Sequence, residues 1–156
     1  MTKVMSRRAG WVLAVTVMPC SLTFAFLIKF VPKHIILHFR DQLIQTYGGK
    51  PSLRVKKLFD SAIEQPKTTY EGEYLHDSLN KMAAAYGYHL CNNHLWKDGN
   101  KRIALVTMDV FLQRNGYEIV ASEKETYKIM MQLSSGELTK QDLTVWLKNN
   151  ISKRDD

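Results

Sequence analysis

One apolar run constrains this chain more than any other stretch. Ile103, Leu105, Val106, Met108, Val110, Phe111 and Leu112 recur at helical spacing with no Gly or Pro among them. Asn115-Gly116 then supplies a C-cap, so the spacing predicts a helix ending there. Directly before it stands His94-Leu95-Trp96-Lys97-Asp98-Gly99-Asn100-Lys101-Arg102, which gathers a candidate base, a carboxylate, a glycine, an amide and several cations. This loop sits on a helix N-terminus, where free N–H groups and the dipole favour an anion. Lys101 and Arg102 in the first turn oppose that dipole, and a bound polyphosphate accounts for them.

The remaining residues of the loop complete a chemistry. Asp98 is a hard oxygen ligand suited to Mg²⁺, which keeps most of its waters and shares its site with nucleotide phosphates. Gly99 allows close approach of the backbone to a phosphate, or a positive φ. Asn100 can cap the helix or hydrogen-bond a phosphate oxygen. His94 lies close enough to Asp98 in a compact loop for both to face one centre, and a neutral imidazole can take a proton from an attacking hydroxyl. Taken singly, each has an ordinary reading: most lone histidines are structural, Asp-Gly-Asn is a common turn, and Lys-Arg is usually a solvated face. The combination carries the information.

That combination resembles the signature of Fic/Doc proteins, which runs His, any residue, Phe, any residue, Asp or Glu, Gly or Ala, Asn, Gly or Lys, Arg. Phe111-Leu112 and Asn115-Gly116-Tyr117 extend the likeness, and Trp96 in place of Phe is the one departure within the nine residues. Adenylyl-transferring Fic enzymes carry Gly where this chain has Lys101, whereas Asn-Lys-Arg is the version of the Doc, or death-on-curing, toxins. The resemblance implies an all-α fold, a compact helical bundle with the active-site loop between a central helix and the one that follows. It implies ATP and Mg²⁺ as cofactors, with the ATP γ-phosphate passed to a Ser or Thr hydroxyl of elongation factor Tu, arresting translation and growth. His94, Asn100, Lys101 and Arg102 would be catalytic, Gly99, Asn100, Lys101 and Arg102 would bind the nucleotide, and Asp98 would hold the metal.

Many Fic proteins silence themselves with a helix of the form Ser/Thr-x-x-x-Glu-Gly/Asn. Here Glu71-Gly72 is the only Glu followed by Gly or Asn, and Lys67 occupies the Ser/Thr position. Restraint is therefore expected in trans, from a Phd-like antitoxin whose disordered tail folds into a groove on the toxin. A cytoplasmic location goes with this reading, and direct contact with nucleic acid is not expected.

Around the motif, periodicity and turn residues give a coarse order. Ile35, Ile36, Phe39, Leu43 and Ile44 predict a helix closed by Gly48-Gly49, a scaffold element with Tyr47 as a packing residue. A short helix is expected from Leu53 to Glu64, closed by Pro66, then a loop from Lys67 to Gly72. A longer helix from Glu73 to about Asn92 carries Ala83-Ala84-Ala85, which would admit a close neighbour, and would deliver His94 to the site. His76 and His89 on it fall at no motif position and read as structural or exposed. Without a His-Glu-x-x-His pattern, a zinc hydrolase has no support. Tyr117 to Val120 reads as extended, Ser122 with Glu125 as a capping box, and Thr139 with Asp142 as the start of a last helix that includes Ile151. Residues 153–156 are expected to be a disordered tail.

The balance of 45% hydrophobic and 24% charged residues over 156 suits one domain with a real core, expected over residues 30–152. A formal charge of +7 fits an acidic partner, whether nucleotide, nucleic acid or acidic protein. Cys20 and Cys91 show no metal-ligand spacing and read as free thiols. Residues 1–29 form an apolar extension: Lys3, Arg7 and Arg8 precede an uncharged stretch over residues 9–28. That stretch admits three readings, namely a signal segment, a membrane or interfacial helix, or a mis-placed translation start. Membrane contact is expected only through it. Two rival functions stand beside the kinase: Fic-type transfer of AMP, and a non-catalytic basic or membrane-tethered module.

Overall fold

The computed structural model describes residues 28–50, 52–54 and 56–155. The three readings of the apolar extension therefore lie outside the described residues, apart from Ile28 and Lys29. The described residues form an all-α bundle: α1 Lys33–Tyr47, α2 Lys56–Glu64, α3 Leu79–Asn92, α4 Asn100–Arg114, α5 Glu123–Ser135 and α6 Lys140–Asn150. None of these helices is long and apolar enough to cross a membrane. Short antiparallel ribbons join them, β1 Thr69–Tyr70 with β2 Glu73–Tyr74, and β3 Tyr117–Ile119 with β4 Ile151–Lys153.

The axis of the bundle is α3, which buries Met82, Ala83, Ala84, Ala85, Tyr86, Gly87, Leu90 and Cys91 and packs against α4 and α6 as well as α2 and α5. Small side chains allow this. A Cβ at Gly87 would collide with Met108 Sδ of α4 and come within 3.1 Å of Leu143 Cδ2 of α6, so three helices meet where only glycine fits. On α4 the buried set is Ile103, Ala104, Thr107, Met108, Phe111 and Leu112; four of these belong to the apolar run, whose Leu105, Val106 and Val110 are only partly buried. Phe111 meets Tyr86 at 5.4 Å between ring centroids and Phe30 at 5.9 Å. The Tyr86 hydroxyl accepts a 3.3 Å bond from the Val31 N–H, and burial pushes its pKa up to about 12.

Helix ends follow their capping residues. Gly48 ends α1 with φ of 72° and donates its N–H to the Ile44 carbonyl. Thr139 and Asp142 form a complete capping box on α6. The box expected at Ser122 is only half made. Ser122 accepts from the Glu125 N–H, but the Glu125 carboxylate instead accepts from Trp146 Nε1 of α6 at 2.9 Å.

Other boundaries differ from expectation where a strand or bridge partner competes with the helical pattern. The long helix starts at Leu79, not Glu73, because Glu73 and Tyr74 pair with Tyr70 and Thr69 across a Glu71-Gly72 turn with both φ values positive. The second helix starts at Lys56, not Leu53, because Leu53 forms a β-bridge with Trp96 and Arg54 donates its N–H to the Leu95 carbonyl. The last helix ends at Asn150. Ile151, Ser152 and Lys153 pair with Ile119, Glu118 and Tyr117, and the Arg154 N–H reaches the Gly116 carbonyl at 3.0 Å. The start of the expected tail is thus a strand, because β3 offers backbone groups that need partners. At the other end, Asn115 receives the Lys29 N–H at 2.9 Å and returns a bond to the Lys29 carbonyl, fixing the chain where the domain begins.

Candidate active site

The loop between α3 and α4 is shaped by a reversal at its first residue. His94 has φ of 46°, left-handed for a residue with a Cβ, a conformation that costs about 1–3 kcal/mol and persists only where surroundings enforce it. The reversal leaves the His94 side chain exposed while Leu95 and Trp96 turn inward to full burial. Trp96 packs edge-on against Phe59 of α2 at 5.3 Å. Its indole N–H, which a phenylalanine would lack, is buried without a partner among the described residues.

Three further contacts clamp the loop. The Leu53–Arg54 segment pairs with Leu95 and Trp96 from outside. From within, the Asn100 side chain accepts the Trp96 N–H at 3.0 Å and donates to the Trp96 carbonyl at 2.8 Å. Asn100 thus spends one lone pair and one N–H on bracing the loop, and keeps one of each for anything bound. Asp98 Oδ1 accepts the Gly99 N–H at 2.7 Å, while a Cβ at Gly49 would lie 3.3 Å from Asp98 Oδ2. The Gly48-Gly49 turn therefore runs beside that carboxylate.

Gly99 opens α4 with φ of 85°, and a Cβ there would meet none of the described residues within 4 Å. The glycine answers the backbone conformation rather than a crowded neighbour. Among the described residues no side chain caps this helix, which leaves its first-turn N–H groups open to a ligand. Lys101 and Arg102 are exposed beside them. Lys101 Nζ rests 3.3 Å from Met131 Sδ of α5, and the Arg102 guanidinium lies over the Tyr47 ring at 4.7 Å.

These residues line one cleft of about 760 Å³ between the loop, the start of α4 and the face of α5. His94, Asp98, Gly99, Asn100, Lys101 and Arg102 all border it, so every site residue expected from the sequence converges there. Cys91 forms part of its floor, but burial pushes that thiol up to about 11, which rules against a thiolate nucleophile. His76 and His89 do not line the cleft. Burial, then Lys140 and His76, push His89 down to about 4, and its Nε2 is buried without a partner among the described residues.

Sequence reasoning missed four contributors. Tyr47 is 62% exposed and carries Arg102 instead of packing in the core. Leu53 braces Trp96 from a distant loop and leaves no local signal. Tyr127 and Met131 of α5, which no motif marks, also wall the cleft.

A family model described as the Fic/DOC family matches residues 30–112. The chain is 36% identical over 75 residues to "Toxin Doc" of Mycolicibacterium smegmatis, a match spanning 48% of this chain and 58% of that protein. It is 30% identical over 105 residues to "Protein kinase doc" of Escherichia phage P1, spanning 67% of this chain and 80% of that protein. The matched segment includes the whole loop from His94 to Arg102 and most of α4.

Proposed function

The chain belongs to the Fic/DOC family, and from that premise we propose that it is a Doc-like toxin which phosphorylates a protein hydroxyl with the γ-phosphate of ATP. One observation carries the reading. The uncapped N-terminus of α4, Lys101 and Arg102 share a cleft with an exposed histidine and an exposed carboxylate. That arrangement neutralises a polyphosphate and offers a base beside it, which is most of what an enzyme can add to phosphoryl transfer.

His94 takes the proton of the acceptor hydroxyl. The acceptor oxygen bonds to the γ-phosphorus as the bond from that phosphorus to the bridging oxygen breaks, and ADP leaves with the electron pair. Lys101, Arg102 and the first-turn N–H groups of α4 hold the phosphates, and Gly99 sets the turn that presents them. Asn100 keeps the loop in register. Asp98 has Oδ2 outside its bond to Gly99, a donor that suits Mg²⁺ shared with nucleotide phosphates, and such an ion would neutralise charge on the transferring group. Lys101, a cation where AMP-transferring Fic enzymes have glycine, favours the phosphoryl reaction.

Elongation factor Tu is the acceptor proposed, with arrest of translation as the outcome, and a Phd-like antitoxin the restraint in trans. In support of the latter, Glu71-Gly72 forms a hairpin turn and cannot act as an inhibitory helix. The test incubates the full chain and His94→Ala with elongation factor Tu, Mg²⁺ and ATP labelled at the α or the γ position. Label from γ alone, absent with the variant, is expected. Label from α would convert the reading to AMP transfer, and no label from either would overturn it for this acceptor.

A further inference from the structure

Charge outside the cleft is lopsided in a way that a bound nucleotide does not explain. Residues 42–59 hold Lys50, Arg54, Lys56 and Lys57, all exposed, and no Asp or Glu. Three contacts turn this stretch onto the His94 side of the loop. Gly49 lies beside Asp98 Oδ2, Leu53 bridges Trp96, and the Arg54 N–H reaches the Leu95 carbonyl at 2.9 Å. Lys97, exposed directly after Trp96, adds a fifth cation. Among the described residues none of the five forms an ion pair, whereas Asp60 and Glu64 further along α2 are taken by Lys33 and Lys67. Of the five only Lys97 borders the cleft. Lys56 and Lys57 also stand in the first turn of α2 with no acid beside them, where the helix dipole disfavours cations. An uncompensated basic collar, kept against local preference, fits an acidic partner.

We propose that this collar docks an acidic face of the protein acceptor and so brings its hydroxyl to His94. The inference rests on the proposed reaction, and adds what recognises the acceptor outside the cleft. The collar adjoins the base: Arg54 bonds to the residue after His94, and Lys97 lies three residues beyond it. Leu58, next to Lys57 and 44% exposed, offers an apolar contact that a protein interface uses and a phosphate backbone does not. Phe59 and Trp96, the rings within two residues of Lys57 and Lys97, are buried, so neither offers a base a surface to stack on. Charges at such a rim act by steering the encounter, an effect that salt screens.

The experiment measures γ-phosphate transfer from ATP to elongation factor Tu at low and high salt, for the full wild-type chain and for Lys56→Glu/Lys57→Glu. A parallel titration uses mixed-sequence RNA. Glutamate suits the first turn of a helix, so the variant should keep its Tm and any loss is not one of folding. Its KM for the acceptor is expected to rise about tenfold at low salt, the lower end of electrostatic steering, with kcat and the KM for ATP unchanged. High salt should close the gap. An acceptor KM that the charge reversal leaves unchanged at low salt would overturn the collar while leaving the reaction standing. A loss confined to RNA binding would also overturn it, and reassign the surface to nucleic acid. Wild type that labels nothing would remove the reaction for this acceptor, and the collar with it.

Discussion

The Arg102 guanidinium lies 4.7 Å from the centre of the Tyr47 ring, joining the first turn of α4 to the last residue of α1. Arg102 would otherwise be a long, exposed side chain at a helix start that repels it. Stacked on Tyr47, it is held beside the cleft, and at the C-terminal end of α1 it meets a favourable dipole. Tyr47 is 62% exposed, so the fold depends little on it. Tyr47→Ala should therefore lower kcat/KM for phosphoryl transfer about 3–5-fold, the equivalent of an exposed cation–π contact, with Tm nearly unchanged. Tyr47→Phe should retain most activity. A large Tm loss in Tyr47→Ala would show that the ring supports the core instead.

Asn100 separates a bracing role from a binding one. Asn100→Ala deletes both bonds to the Trp96 peptide, which should cost about 1–3 kcal/mol of stability together with activity. Asn100→Asp keeps an acceptor for the Trp96 N–H but sets a carboxylate against the Trp96 carbonyl, and should fare no better. Chemical denaturation beside initial-rate kinetics checks this. Activity lost at unchanged stability would mean that Asn100 acts on the phosphates alone.

These two residues also show what the sequence made legible. The site loop could be read because His94, Asp98, Gly99, Lys101 and Arg102 lie contiguously on one helix start, where local geometry alone brings them together. α4 could be read because its apolar residues keep one period without a breaker. Tyr47, Leu53 and Tyr127 reach the same site from other elements, and a contact between distant segments leaves no mark in local spacing. The last strand was missed for the same reason. Ile151–Lys153 fits the end of a helix equally well until Tyr117–Ile119 offers it a partner.

Gly87 and Met108 should behave as a coupled pair. An alanine Cβ at Gly87 collides with the Met108 sulfur and presses on Leu143, all within the buried contact of α3, α4 and α6. Overpacking of this kind costs about 1–3 kcal/mol. Met108→Val alone should also destabilise, by emptying volume. In the double variant Gly87→Ala/Met108→Val the extra methyl occupies the space that the sulfur vacated, so the combined loss should fall below the sum of the single losses. Urea denaturation of all four proteins measures it, and strict additivity would show that the helices move apart to admit the methyl.

Acid should weaken the fold through His89 before it protonates the bulk of the carboxylates. Burial, then Lys140 and His76, hold His89 at about 4 in the folded chain, against an ordinary 6.5 when unfolded. His76 is lowered in the same direction, by burial first and then Lys140 and Lys81. Between these values the unfolded chain binds the proton and the folded chain does not, so stability falls as pH drops from 6.5 towards 4. His89 is only half buried; allowing for solvent screening at its open side, the loss should be about 1–2 kcal/mol. His89→Gln removes the titration, keeps a polar side chain of similar reach, and should flatten the urea midpoint over that window. A midpoint that falls equally in both proteins would place the acid sensitivity elsewhere.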